Sequence, residues 1–216
     1  MDQSQLFDAS AALYPVAMLR IEPAGLHDLA GAYRVCIGTA VRGEDASGRH
    51  GDPALLGHVY VGPYLAQGRG TQLVVVDEAG VCGYLLSTDD TDAFHAWAEA
   101  HWWPALRVRY PDPEADPRDA WLVRQLHAPQ RLDPAITEAY PAHLHIDLLA
   151  RARGTGLGRT LIERLLGELR GRGVAGVHLG VDPANTNAIG FYQHLGFQVL
   201  ERLPDEVVMG MRLPAS

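Results

Sequence analysis

The sequence predicts an α/β (α+β) protein: one mixed central sheet of about six or seven strands, flanked by helices. Two patterns carry this reading. Two apolar, β-branched runs flank a short turn at 71–88, and apolar residues alternate on both sides of a turn at 197–213, which marks antiparallel hairpins. Between them, a strand, a glycine loop, an amphipathic helix and a second strand run from 143 to 181, and such a unit demands a parallel pair with a right-handed crossover. An aromatic-rich stretch, 89–142, interrupts the pattern before the fourth strand.

Taken in order, 1–15 reads as a leader or docking arm. VAMLRIE (16–22) reads as a strand ended by Pro23. Leu26, Leu29, Tyr33, Cys36 and Ile37 follow the helical period, so 26–40 is expected to be a helix. EDASGRHGDP (44–53) is loop, and 54–66 is a second helix or an irregular helix–turn. TQLVVVDEAGVCGYLLST (71–88) is a hairpin whose Gly80 suits a position with positive φ. The insertion at 89–142 holds Trp97, Trp102, Trp103 and Trp121 and the turn PDPEADP, and two or three short helices are expected there. HLHIDLL (143–149) is a strand. In 156–173, Leu161, Leu165 and Leu169 share a helical face and Gly173 is a fitting C-cap. AGVHLGV (175–181) is a strand, and 185–196 is a helix with N-cap chemistry at its start and Gly196 at its end. FQVLERL (197–203) and VVMGMRL (207–213) close the sheet.

A single domain suits 216 residues, and a hydrophobic fraction of 47% is ample for a core. A net charge of −8 argues against a general nucleic-acid binder, so no nucleic-acid partner is expected. No apolar run nears the roughly 20 residues of a membrane span, and MDQSQLFDAS lacks the basic and apolar regions of a signal peptide. No membrane partner is expected either. Cys36 and Cys82 lack metal-ligand spacing and read as buried free thiols of a cytoplasmic protein.

RARGTGLGR (151–159) is the strongest local signal. Glycine loops that open a helix gather backbone N–H groups around phosphate, where the helix dipole adds about half a positive charge. The mononucleotide loop GxxxxGK[ST] fails because the chain contains no lysine. A dinucleotide loop, and with it an NAD-dependent oxidoreductase, is a distant alternative: Arg159 stands where its third glycine belongs, and the other strands form hairpins.

Arg153-Gly154-Thr155-Gly156-Leu157-Gly158 instead fits R/Q-x-x-G-x-G/A. Downstream, Asn185-x-x-Ala188-x-x-Phe191-Tyr192-x-x-x-Gly196-Phe197 completes a second motif at the expected helix-plus-strand distance. On these two motifs the chain resembles the GCN5-related N-acetyltransferases (GNAT superfamily), over about 143–213. AHWWPALRVRYPDP, GVCGYLLSTDDTDAF and YPAHLHIDLL further resemble the acetyltransferase-like domain at the C-terminus of O-GlcNAcase and its bacterial relatives. Eukaryotic members of that group lack the glycine loop that this chain keeps.

The resemblance implies the GNAT fold, acetyl-CoA as cofactor and direct transfer of acetyl to an amine on a small molecule or peptide. It also leaves a non-catalytic acetyl-CoA- or CoA-binding module as the alternative. It implies that Arg153, Gly154, Thr155, Gly156, Leu157, Gly158 and Arg159 embrace the pyrophosphate, and that the backbone at Leu148 and Leu149 pairs with the pantetheine arm. Asn185 is a pantetheine contact or an N-cap. Tyr192 is the proton donor to the departing thiolate or a core aromatic; a phenol with pKa near 10 suits the former. An ammonium acceptor must lose a proton before it attacks. His143, His145 and Asp147 recur at every second residue and so share a strand face. Asp147 is the first candidate base, ahead of Asp182, His145 and His143. The Trp cluster either floors the acceptor pocket or forms a mini-core. No metal is expected, and a homodimer is among the permitted assemblies.

Overall fold

The computed structural model describes residues 18–214. The leader expected at 1–15 lies outside them. Seven strands form one sheet in the order β1-β2-β3-β4-β5-β7-β6. They are β1 (Arg20–Pro23), β2 (Gln72–Asp77), β3 (Gly80–Thr88), β4 (Ala142–Leu148), β5 (Gly176–Val181), β6 (Gln198–Arg202) and β7 (Val207–Arg212). Every neighbouring pair is antiparallel except β4 and β5.

Pro23 is the last residue of β1, paired with Leu73, rather than lying just beyond the strand. An edge strand tolerates proline because no further strand needs its missing N–H. The helix expected at 26–40 starts as a 3₁₀ turn, Leu26–Asp28, and continues as α1 (Leu29–Thr39). The 54–66 segment is two helices, α2 (Leu55–Tyr60) and α3 (Gly62–Gln67). Pro63 causes the break: it has no N–H for the preceding turn and its ring crowds the carbonyl four residues back. The insertion holds four helices rather than two or three: α4 (Thr91–His101), α5 (Trp103–Arg109), α6 (Ala120–His127) and α7 (Pro134–Ala139). Prolines sit in the first turns of α5 and α7, and Asp90 and Asp133 cap α4 and α7 through Ala93 N (2.9 Å) and Ala135 N (2.8 Å). Helices α8 (Leu157–Gly171) and α9 (Thr186–His194) complete the chain.

Two cores cover the two faces of the sheet. One packs Leu161, Ile162, Leu165 and Leu169 of α8, with Tyr192 of α9, against Leu144 and Leu179. The other packs α1 to α6 against Val74, Tyr84 and Leu86. Register places Tyr84 opposite Asp147, Leu86 opposite His145 and Thr88 opposite His143, so all six lie on this second face. His143, His145 and Asp147 therefore share one face, and β4 keeps its parity throughout.

The parallel pairing of β4 with β5 covers only Ala142↔Val177 and His143↔His178. Beyond that point the strands separate. Leu149 N–H donates to Cys82 O (2.8 Å), so 149 and 147 spend their backbone groups on β3. By alternation, Ile146 and Leu148 direct theirs toward the β5 side, where no strand follows.

The α2–α3 junction is packed to its limit. A Cβ on Gly62 would collide with the Trp102 ring and the Tyr33 hydroxyl. Gly62→Ala should cost about 1–3 kcal/mol by overpacking, read as a lowered urea midpoint with unchanged slope.

Candidate active site

The glycine loop follows β4 directly. Ala150–Ala152 makes a 3₁₀ turn, Gly154 and Gly156 take φ of 74° and 83°, and α8 begins at Leu157. A side chain is strained at both positive-φ glycines. Thr155 Oγ1 closes the turn by donating to Ala152 O at 2.8 Å. Gly156 is the N-cap and has no side chain, so no side-chain cap meets the first N–H groups of α8. These donors, on Leu157, Gly158 and Arg159, carry the positive end of a helix of 15 residues. A Cβ on Gly158 would rest 3.4 Å from Phe191 and 3.7 Å from Leu148, so the loop, β4 and α9 converge there.

The arginines divide. Arg151 is held by Asp77 at 2.5 Å, and Arg159 pairs with Glu163 at 3.3 Å on the surface. Arg153 has no acidic partner among the described residues, and its guanidinium lies over Gly43. Leu148 ends β4 beside the opening. Leu149 is different from expectation: its N–H is taken by Cys82 O and its C=O by Ala152 N–H, both at 2.8 Å. Both of its backbone groups are spent within the chain, so the positions left facing the gap are Ile146 and Leu148.

Asn185 acts as the N-cap of α9, its Oδ1 accepting from Ala188 N at 3.1 Å. Asp182 is exposed and accepts from Ala184 N at 2.7 Å in the turn before α9. Tyr192 is buried between Phe191 and Phe197. Burial, then the charge of Asp147, hold its phenol above the usual range. Tyr192 and Asp147 belong to opposite faces of the sheet.

Asp147 is half-buried, and burial pushes its carboxyl up to about 6. The hydroxyl of Tyr84, which donates to Oδ2 at 2.5 Å, opposes that rise. Tyr84 carries no local motif. Only strand register brings it to the carboxylate.

A pocket of about 220 Å³ lies on the same face, between β4–β5 and the insertion. Its wall includes Tyr60, Tyr64, Phe94, Trp103, His143 and His145, with His178 of β5 and Glu206 of the β6–β7 turn. Of the four tryptophans, Trp103 alone lines this pocket. Trp102 is tied to His58 O at 2.8 Å and Trp121 is largely exposed. Burial lowers the imidazoles: His145 to about 4, with His178 adding to the effect, and His143 well below its ordinary value. Tyr60, Tyr64, His178 and Glu206 are invisible as a set in the sequence, because four separate elements contribute them.

Residues 74–197 match the model of the acetyltransferase (GNAT) family, which is more than half of the chain. The chain belongs to this family. The crystal structure of SsHAT is 37% identical, with a TM-score of 0.81 over 91% of this chain and 98% of that one. Protein O-GlcNAcase of Rattus norvegicus is 27% identical over 164 residues, covering 73% of this chain and only 18% of the relative. Mycothiol acetyltransferase of Beutenbergia cavernae is 41% identical over 100 residues, 43% of this chain and 32% of that protein. The chain thus spans a minor part of these two curated relatives. Acetyltransferases of this family are acyltransferases that use acetyl-CoA. No helix among the described residues is long and apolar enough to cross a membrane.

The raised carboxyl of Asp147 has a consequence for stability. Between about pH 4 and pH 6 the folded state binds more protons than the unfolded chain, so the contribution of Asp147 to stability falls as pH rises through that window. Asp147→Asn should therefore raise the thermal midpoint at pH 8 and leave it nearly unchanged at pH 4, measured by calorimetry on both proteins. An equal gain at both pH values would show that the effect is not ionisation.

Proposed function

We propose that the chain binds acetyl-CoA along the opening between β4 and β5 and transfers the acetyl group directly to an amine. The observation that carries this is the coincidence of two features: a parallel pair that separates after His143↔His178, and an uncapped helix N-terminus with two positive-φ glycines at the mouth of the gap. The pyrophosphate suits the N–H groups of Leu157, Gly158 and Arg159, since a polyanion is stabilised by converging backbone donors and the helix dipole. Gly154 and Gly156 permit close approach, Thr155 braces the turn, and Arg153 supplies an uncommitted cation. The unpaired edge at Ile146 and Leu148 offers the amide-rich arm a ladder to join, as an added strand would.

When bound, acetyl-CoA supplies an activated thioester carbonyl. The chain itself handles protons. Asp147 ionises near neutrality, so its carboxylate is basic enough to receive the proton that the ammonium must shed and acidic enough to release it again. Tyr84 orients that carboxylate. Tyr192 retains its proton through neutral pH because burial and the Asp147 charge oppose ionisation, which makes it the available donor for the leaving sulfur. Two buried, unpaired thiols, Cys36 and Cys82, suit a reducing cytoplasmic setting.

Two measurements test the reading. Calorimetric titration with acetyl-CoA should give micromolar binding to the wild type and none to Gly156→Glu, which puts bulk and negative charge at the cap. Normal binding to that variant would refute the pyrophosphate assignment. Turnover should rise with pH through about 6 as Asp147 ionises, and Asp147→Asn should lower kcat by roughly 10²–10⁴ and abolish that limb. A limb that persists in Asp147→Asn would assign the base elsewhere.

A further inference from the structure

The hydrogen-bond polarity of the pocket is set by two backbone carbonyls. Thr91 Oγ1 donates to Pro141 O at 2.7 Å. A carbonyl only accepts, so the single hydroxyl proton of Thr91 is spent there. Thr91 Oγ1 is also 2.7 Å from His143 Nδ1, and that bond must therefore run from Nδ1–H to the hydroxyl oxygen. Burial holds His143 neutral, which leaves Nε2 with a lone pair. Tyr64 lies 2.5 Å from Nε2 and gives its proton to it. The Tyr64 oxygen then offers only lone pairs to anything in the pocket.

His178 is fixed by the same logic. Its Nδ1 is 2.7 Å from Tyr140 O, so Nδ1–H donates and Nε2 is an acceptor. Nε2 has no partner among the described residues, and His178 lines the pocket. Thr137, also in the wall, directs its hydroxyl to Pro134 O (3.3 Å) and Asp92 (3.5 Å). Carboxylates stand at Asp92 and at Glu206, whose side chain folds over the bare backbone of Gly180. The neutral rings of His95 and His145 each add one donor and one acceptor. The Tyr60 hydroxyl and the Trp103 indole N–H are further donors, and Gln125, Gln130 and Arg131 come from one rim, where Gln130 and Arg131 are exposed. Aromatic faces of Tyr60, Tyr64, Phe94 and Trp103 fill the rest of the wall.

We propose that this pocket takes a compact primary amine with an apolar body, held as its ammonium ion by lone pairs and carboxylates, and discriminates against bodies that end in an anion. This rests on the acetyltransferase reading for the fate of the amine, though not for its binding. An ammonium group brings three donors to the acceptors of Tyr64, His178 and Glu206, and its charge is favoured over aromatic faces. A carboxylate head would meet lone pairs and like charge on that wall, a mismatch that costs more than a missing contact. The volume of about 220 Å³ favours a small acceptor over a protein segment.

The test uses three probes with one body: 2-phenylethylamine, 2-phenylethanol and 3-phenylpropanoate. Each is titrated at pH 7 into the full chain, free and loaded with CoA, and acetyl-CoA is titrated into the same preparations. The amine should bind at least about tenfold more tightly than either partner in both forms. Tyr64→Phe should weaken the amine about tenfold and leave acetyl-CoA affinity unchanged. Glu206→Gln, which conserves volume, should weaken it several-fold, and it answers the question if Tyr64→Phe does not fold. Carboxylate binding equal to that of the amine, or no amine binding to folded protein, would overturn the proposal. Amine binding with no response to acetyl-CoA would overturn the cofactor assignment instead.

Discussion

The structure depends on a parallel strand pair that stops pairing. Strands β4 and β5 share two residue pairs and then diverge, although each remains bonded to its antiparallel neighbour on the outer side. A sheet interior normally satisfies every backbone group, so an interrupted ladder leaves Ile146 and Leu148 with donors and acceptors aimed into a gap. Cores flank it on either face, with leucines of α8 packed on one and α1 to α6 on the other.

Position then follows from chain geometry. The turn after β4 must reverse direction at the mouth of the gap, and Gly154 and Gly156 allow it by adopting positive φ. The same turn sets the N-terminus of α8 there without a side-chain cap. On the far side, the β6–β7 turn swings Glu206 over Gly180, and the insertion lays Tyr64, Phe94 and Trp103 over the strand histidines. The glycine loop and the pocket thus lie along the same pair of strands, with Asp147 on β4 between them.

Burial does different work at the two titrating sets. At Asp147 it raises a carboxyl into the range where proton exchange is useful. At His143, His145 and His178 it keeps imidazoles neutral, and backbone carbonyls then choose the tautomers of His143 and His178. The Tyr64–His143–Thr91 chain is rigid because each proton in it has a single allowed place. Asp182 shows the opposite case: an exposed carboxylate that serves a local turn.

Much of the fold was legible in the amino-acid order because it is written locally. Apolar runs around DEAG and period-two alternation after 197 located the hairpins, period 3.6 located α8, and glycines located the turns that need positive φ. The two motifs, each confined to one turn and one helix, pointed to the family before any contact was known. Where local rules failed, the reason was equally local chemistry overlooked: Pro63 divides 54–66 into α2 and α3, and prolines and aspartate caps make four helices of the insertion. Other features were beyond reach because they depend on register and docking. Tyr84 meets Asp147 only through the pairing of β3 with β4, Leu149 loses its free backbone to Cys82 and Ala152, and the pocket joins residues from 59 to 208. The sequence alone determined most of the elements and where a positive-φ glycine loop opens a helix, since those rest on backbone conformation over a few residues. Tertiary structure alone decided which side chains face one another, how deeply Asp147 is buried and which atoms of the pocket accept, since those depend on elements distant in the chain meeting across a gap.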